Sequence, residues 1–461
     1  MMKNMTLENI AKAVNGTYVG PDSHKVKLID GVTTDSREVK DDYLYVPFKG
    51  QNVDGHDFIP SAYDSGAVCV LTEKDIEPGD NRAYIKVEST SNALKAVAAY
   101  YREQLSCKIV GIIGSVGKTS TKEMVASVLS QNYRVQKTKG NYNNEVGLPL
   151  TICTIRDEHE VAVCEMGISD FDEMTRLATI AKPDVVIMTN IGNCHLEQLK
   201  DRDGVLKAKS EVIPFIKDGG ALILNGDDDK LTLIDEDRVK VFYYGTSEKA
   251  LNNKDNRVYA TNIKAISTKG VKATLNKGSE KVDVEISIPG EHNVYNAMAA
   301  AECGLFLDMD MDDIKRGIEN AATIEGRNNQ FRAQGATVID DCYNANPASM
   351  MASIKVLSNA DGRRIAILGD MGELGENEKK LHYEVGEFIA DCGVDILLTC
   401  GHLSEEIING AKNNGSRAKM LHFFTKDMLI DYILRERMNG DTILVKASHF
   451  MEFSEIVDAL R

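Results

Sequence analysis

The chain has 461 residues, 43% apolar and 27% charged, with 54 basic against 70 acidic side chains and a formal net charge of −16. That length exceeds what one core fills and points to several domains. The acidic balance excludes adhesion to nucleic acid or an anionic membrane through a general positive field, so an anionic ligand must be held by local devices. No apolar run approaches about 18 residues, so no membrane insertion is expected. The opening stretch MMKNMTLENIAKAV reads as the start of an amphipathic helix, not as a leader. Nine cysteines occur without a C-x-x-C pair, and Cys69, Cys164 and Cys400 sit inside apolar runs. Such usage predicts reduced, buried thiols and a cytoplasmic protein, without a zinc site or disulfide framework.

In chain order, residues 1–107 read as a small α/β domain. A helix is predicted over 7–14, a strand, polar turn and strand over 31–50, a Gly/Asp loop over 51–59, a strand over 67–72 and a helix over 91–105. By composition alone Thr34-Asp35-Ser36-Arg37 is a hairpin turn, which Asp and Ser favour.

A second domain is expected over 108–325, where helical patterns alternate with apolar strands at 109–113, 161–164, 185–189 and 221–225. That alternation predicts a parallel sheet with helices on both faces, whose ligands bind beyond the carboxyl ends of the strands. The first strand runs into Gly114-Ser115-Val116-Gly117-Lys118-Thr119-Ser120 and then a helix. Strand, Gly turn, Lys-Thr and helix form a phosphate cradle. Backbone N–H groups approach the phosphate oxygens, Lys118 reaches the β/γ-phosphates and the Thr119 hydroxyl can ligate Mg²⁺. The longest form of the pattern fails at one place, because Ile112 stands where a first Gly belongs.

The other strand ends carry Glu165, then 190–197 with His195, then Gly226-Asp227-Asp228-Asp229. A carboxylate one step past a buried strand and facing a phosphate loop suits a hard cation. The loop 141–149, with Asn144, reads as a turn, and a helix is predicted over 204–216, on which Lys207 and Lys209 would ordinarily be solvated. Strands extend this domain through 232–288, and 289–296 enters an Ala-rich helix over 297–307, with Asn293 as a cap.

The third domain, 326–461, has strands predicted at 338–341, 365–368, 396–399, 421–424 and 443–445 with helices between. Its first βα turn, Asp341 to Pro347, carries no glycine fingerprint, so no dinucleotide is indicated. The expected fold class is therefore α/β in three domains: a small α/β unit, a central P-loop ATPase-type parallel sheet and a Rossmann-like doubly wound unit.

The motifs GSVGKTS, NYNNEVGLP, EMG, TNIGNCHLE, AKSE, GEHNVYNAMAA, GR, DDCYNANPASM, LGDMGELG and VKAS, in this order, resemble the Mur ligases of peptidoglycan synthesis over essentially the whole chain. The TTDSR and DGHDF segments resemble the family's UDP-sugar-binding pattern. DDCYNANPASM with LGDMGELG resembles the dipeptide-adding member, and the D-N-P-R signature of the sister enzyme that adds the third residue does not occur. One departure is VKASH, where His449 stands in place of a common Arg; Ile113 and Val116 also differ from the commonest loop residues.

The resemblance implies an ATP-driven ligase that joins D-Ala-D-Ala to the terminal carboxylate of UDP-MurNAc-tripeptide through an acyl phosphate. It implies ATP held by the loop residues Gly114 to Ser120, Asn296 on the adenine side, and Arg327 with Asp341 closing from the third domain. It further implies two Mg²⁺ ions, one on Thr119 and Glu165 and one on His195, and a carbamylated Lys209. Asp35, Ser36 and Arg37 are implied for the UDP-sugar, and Asn144, Asn344, Asn346 and Pro347 for the substrates. A cytoplasmic monomer without a nucleic-acid partner is expected. Two other readings are a catalytically silent nucleotide-binding module and a folylpolyglutamate-type ligase. Intact Lys118, Glu165, His195 and Lys209 speak against the first, and the amino-terminal segment against the second.

Overall fold

A computed structural model describes residues 1–50, 52–77, 79, 81–246, 258–324 and 326–461. The predicted positions 51, 247–257 and 325, in the first loop, the 232–288 segment and the second boundary, lie outside the described residues.

The amino-terminal sheet has five strands in the order Thr17–Val19, Tyr84–Lys86, Ala67–Thr72, Tyr43–Tyr45, Gly31–Thr33. Gly31–Thr33 and Tyr43–Tyr45 pair in parallel, so 34–37 is not the hairpin turn that composition suggested. Instead Asp35 caps a short 3₁₀ turn, Ser36–Glu38, by accepting from Arg37 N. Helix Thr90–Gln104 carries this unit onto the next. Its buried Arg102 donates from Nε to Ala181 O at 2.8 Å, and Tyr101 Oη donates to Ile155 O at 2.6 Å. One apolar cluster accordingly runs from Leu44 and Leu71 through Leu94 and Val97 to Ile109, Ile152 and Leu177.

The central sheet is parallel throughout, in the order Lys240–Tyr244, Ala221–Asn225, Val185–Met188, Lys108–Ile113, Val161–Glu165, Val135–Lys137. Its middle strands are buried along nearly their whole length, as a sheet covered on both faces requires. The strands Tyr259–Ala265, Val271–Lys277 and Glu280–Ile286 do not join it. They form a separate antiparallel meander, whose buried face shares a core with helices Lys118–Leu129 and His292–Phe306. The helix expected over 204–216 is Arg202–Ser210, and a 3₁₀ turn Ile213–Phe215 follows around Pro214. Proline there cannot donate into a continuing helix and its ring crowds the preceding turn.

The third sheet runs Asn329–Ala333, Ala336–Asp340, Thr442–Lys446, Arg364–Gly369, Ile396–Cys400, Lys419–Phe423. All pairs are parallel except the first, a hairpin closed by Gln334 and Gly335, both at positive φ. The third unit meets the central one at the start of helix Leu196–Leu199. Leu196 packs against the third unit's core, and the backbone at Glu197 lies beside Gly375.

Candidate active site

A cleft of about 980 Å³ opens at the carboxyl ends of the central strands, with the third unit forming its opposite wall. The phosphate loop is one side. Gly114 sits at φ +144°, and a Cβ there would lie 2.0 Å from Thr189 Oγ1, so only glycine lets strand and loop approach this closely. Thr189 Oγ1 donates to Val116 O at 2.7 Å, Val116 N donates to Asn190 Oδ1 at 3.0 Å and Ser115 N donates to Asn190 O at 3.0 Å. The end of strand Val185–Met188 thereby holds the loop open. Gly117, at φ +84°, then starts helix Lys118–Leu129, whose free N–H groups face the cleft. Lys118 Nζ is folded back on Gly114 O at 2.9 Å.

Glu165 ends the adjacent buried strand and is 2% exposed. Its Oε1 accepts from Asn143 Nδ2 at 2.7 Å, while its Oε2 is buried without a hydrogen-bond partner. Lys122 Nζ lies 4.0 Å from that oxygen, beyond hydrogen-bond reach, and donates instead to Thr138 O at 2.8 Å. An unsatisfied carboxylate oxygen lining the same cleft as Thr119 offers the kind of oxygen ligand that fits a hard divalent cation. His195, in a left-handed conformation at φ +52°, lines the same cleft. Its Nδ1 is 2.6 Å from Glu373 Oε2 of the third unit, and the imidazole beside it holds the Glu373 carboxyl below its ordinary range.

Lys209 is 2% exposed and lies beneath the cleft, not on its wall. Burial, with the nearby Lys118 charge in support, pushes its amine down to about 8 against an opposing pull from Cys194. Cys194 is itself tied to the loop, donating from Sγ to Ser115 Oγ at 3.1 Å. Asn296 closes the floor: Thr121 Oγ1 donates to its Oδ1 at 2.8 Å and its Nδ2 donates to Asn293 Oδ1 at 2.9 Å. Asn293 is not the expected helix cap, because its Nδ2 donates back to Pro289 O at 2.8 Å.

From the third unit come Arg327, Asp341, Tyr343, Asn344, Asn346, Pro347 and Lys446. Lys446, 2% exposed, donates to Asp341 Oδ2 at 2.6 Å and to Asn344 O at 3.0 Å. Asn346 caps helix Pro347–Ser358 in a reciprocal pair with Ser349, and Asn144 Oδ1 accepts from Gly147 N at 2.9 Å. Asp35, Ser36 and Arg37 are not on the cleft wall. Arg37 Nη2 donates to Asp35 Oδ2 at 2.6 Å, and that bond holds the Asp35 carboxyl down at about 2.

The residues that sequence reasoning passed over are Asn143, Lys122, Tyr343, Glu373 and Lys446. Lys122 had a readable signal, one helical turn after Lys118 on the same face. Lys446 follows the apolar run Ile443–Val445 of its strand, but the contact of Glu373 crosses between units and no local pattern announces it.

Fold and cleft define a P-loop α/β protein in which a third, doubly wound unit faces the phosphate loop. The models of the Mur ligase family match in three parts: the catalytic domain at 28–102, the middle domain at 112–304 and the glutamate ligase domain at 326–449. The chain is 36% identical over 463 residues to UDP-N-acetylmuramoyl-tripeptide–D-alanyl-D-alanine ligase of Bacillus subtilis, covering 100% of this chain and 99% of the relative. Its structure is similar to a MurF crystal structure from Acinetobacter baumannii (TM-score 0.87, 30% identity, 99% and 98% of the two chains). It is also similar to MurF ligase of Thermotoga maritima in complex with ADP (TM-score 0.81, 27% identity, 93% and 96% of the two chains). This chain belongs to the Mur ligase family.

Proposed function

We propose that the chain is an ATP-dependent ligase that joins D-alanyl-D-alanine to the terminal carboxylate of UDP-N-acetylmuramoyl-tripeptide in peptidoglycan precursor synthesis. The relatives named for this reaction match from end to end. The observation that carries the reading is the single cleft on which the phosphate loop, the unpaired Glu165 oxygen, His195 and the third-unit residues Arg327 and Asp341 converge.

In this reading residues 1–107 take the nucleotide sugar, with Asp35, Ser36 and Arg37 at its site, 108–325 take ATP, and 326–461 close over both and receive the dipeptide near Asn344, Asn346 and Pro347. The loop amides of 114–120 and Lys118, released from Gly114 O, hold the β/γ-phosphates, and Asn296 lies toward the adenine. Thr119 and Glu165 would hold one Mg²⁺ ion, and His195 with a carbamylated Lys209 a second. Bound there, these ions neutralise the repulsion between an incoming carboxylate and the triphosphate. A Lys209 amine lowered to about 8 supports carbamylation, since only a neutral amine attacks CO₂.

The tripeptide carboxylate oxygen attacks the γ-phosphorus and ADP leaves. The dipeptide amine then attacks the acyl carbon, inorganic phosphate departs with the carboxylate oxygen, and the amine loses a proton. Arg327 faces the developing charge, and the Lys446–Asp341 pair holds the opposing wall rigid. Closure of the third unit excludes water from the acyl phosphate. A monomer in the cytoplasm fits this chemistry, and among the described residues no helix is long and apolar enough to cross a membrane.

The test is ADP release in the presence of UDP-MurNAc-tripeptide. Release should depend on D-Ala-D-Ala; release driven by a free amino acid such as lysine instead would assign the chain to the sister reaction.

A further inference from the structure

We propose that Tyr343 and His449 are positioning residues that present the Arg327 guanidinium to the nucleotide, an inference that rests on the reading of Arg327 as a nucleotide contact. The Arg327 Cζ lies 4.3 Å from the centroid of the Tyr343 ring. The His449 ring meets that ring at right angles, 5.5 Å between centroids. Backbone on both sides of Arg327 is pinned to the end of strand Ala336–Asp340: Gly326 N donates to Asp340 Oδ2 at 3.1 Å and Asn328 N donates to Asp341 Oδ1 at 3.1 Å. Tyr343 N donates in turn to Gly326 O at 3.1 Å.

The main chain therefore fixes where the arginine starts, and the ring decides where it points. Among the described residues no carboxylate or hydrogen-bond acceptor holds the guanidinium. Its donors are left for a ligand, and the aromatic face orders it without using any of them. A long arginine otherwise gives up rotamer freedom on binding. His449, itself exposed, buttresses the ring from the side.

The experiment is a calorimetric titration with ADP and Mg²⁺ of the full chain and of R327A, Y343L, Y343F, H449A and the double variants with R327A. Loss of a partly exposed cation–π contact and its ordering should raise Kd roughly tenfold in Y343L. Y343F, which keeps the ring face, should restore binding. H449A, which loses only the edge-on aromatic contact, should raise Kd about twofold to threefold. Both effects should vanish in the R327A background, because residues acting through a third are not additive with its removal. Y343L with unchanged Kd, or a double variant whose Kd rises by the product of the two singles, overturns the proposal. If Y343L does not fold, the H449A cycle decides by the same criterion. Failure of the wild-type chain to bind ADP would instead strike the reading of the cleft as a nucleotide site.

Discussion

Replacing Glu165 with Gln separates what this carboxylate does for the fold from what it does for the reaction. Its Oε1 accepts from Asn143 Nδ2 at 2.7 Å, a bond the Gln amide oxygen retains. Its Oε2 has no hydrogen bond to lose, and its nearest cation, Lys122 Nζ, is 4.0 Å away. At an effective permittivity near 20, unit charges at that separation attract by about 4 kcal/mol. Removing a carboxylate from water costs several kcal/mol, so the two effects nearly cancel. The variant should keep its unfolding free energy within about 1 kcal/mol of the wild type, read by urea denaturation under circular dichroism. Its kcat/KM for ADP release should fall on the order of 10²–10³, the scale of loss when one preorganised electrostatic stabiliser is removed, here through the Mg²⁺ that Glu165 would hold. The reasoning is refuted if E165Q loses about 3–5 kcal/mol of stability while its folded fraction turns over normally. Glu165 would then exist to neutralise Lys122.

Lys446→Met should lower stability by about 3–5 kcal/mol, because it strands the buried Asp341 carboxylate. Adding Asp341→Asn should recover part of that loss, and a shift of the urea midpoint measures both. Carbamylation of Lys209, followed by the ¹³C signal of a ¹³CO₂-derived carbamate at fixed dissolved CO₂, should increase as pH rises. With the amine lowered to about 8, the neutral form gains from about pH 7 to about pH 9. A signal that falls over that range would contradict the assignment.

Much of the cleft wall was legible because it depends on short-range patterns. The apolar run 161–164 predicts a buried strand, and the next residue, Glu165, must then emerge at its carboxyl end. Gly114 and Gly117 mark the turn before a helix for reasons of backbone geometry alone. Contacts set by distant pairing were not legible. Asn143 and Asn144 are equivalent in composition, yet Asn143 reaches Glu165 while Asn144 turns back to accept from Val146 N and Gly147 N of its own loop. The edge strands Val135–Lys137 and Asn329–Ala333 are largely half-buried and lack the apolar run that betrays a central strand. Residues 34–37 read as a hairpin because turn propensity is blind to whether the flanking strands pair in parallel. Lys209 on a helix reads as solvated, and only the packing of Arg202–Ser210 against helices Glu173–Ala181 and Leu196–Leu199 of its own unit buries it.

The most direct measurement labels both oxygens of the tripeptide's terminal carboxylate with ¹⁸O and follows the label through turnover with ATP and D-Ala-D-Ala. An acyl phosphate formed in this cleft delivers one ¹⁸O to each inorganic phosphate released and leaves the other in the new amide. Phosphate free of label, with its fourth oxygen drawn from solvent, would mean that water and not the substrate carboxylate attacks the nucleotide.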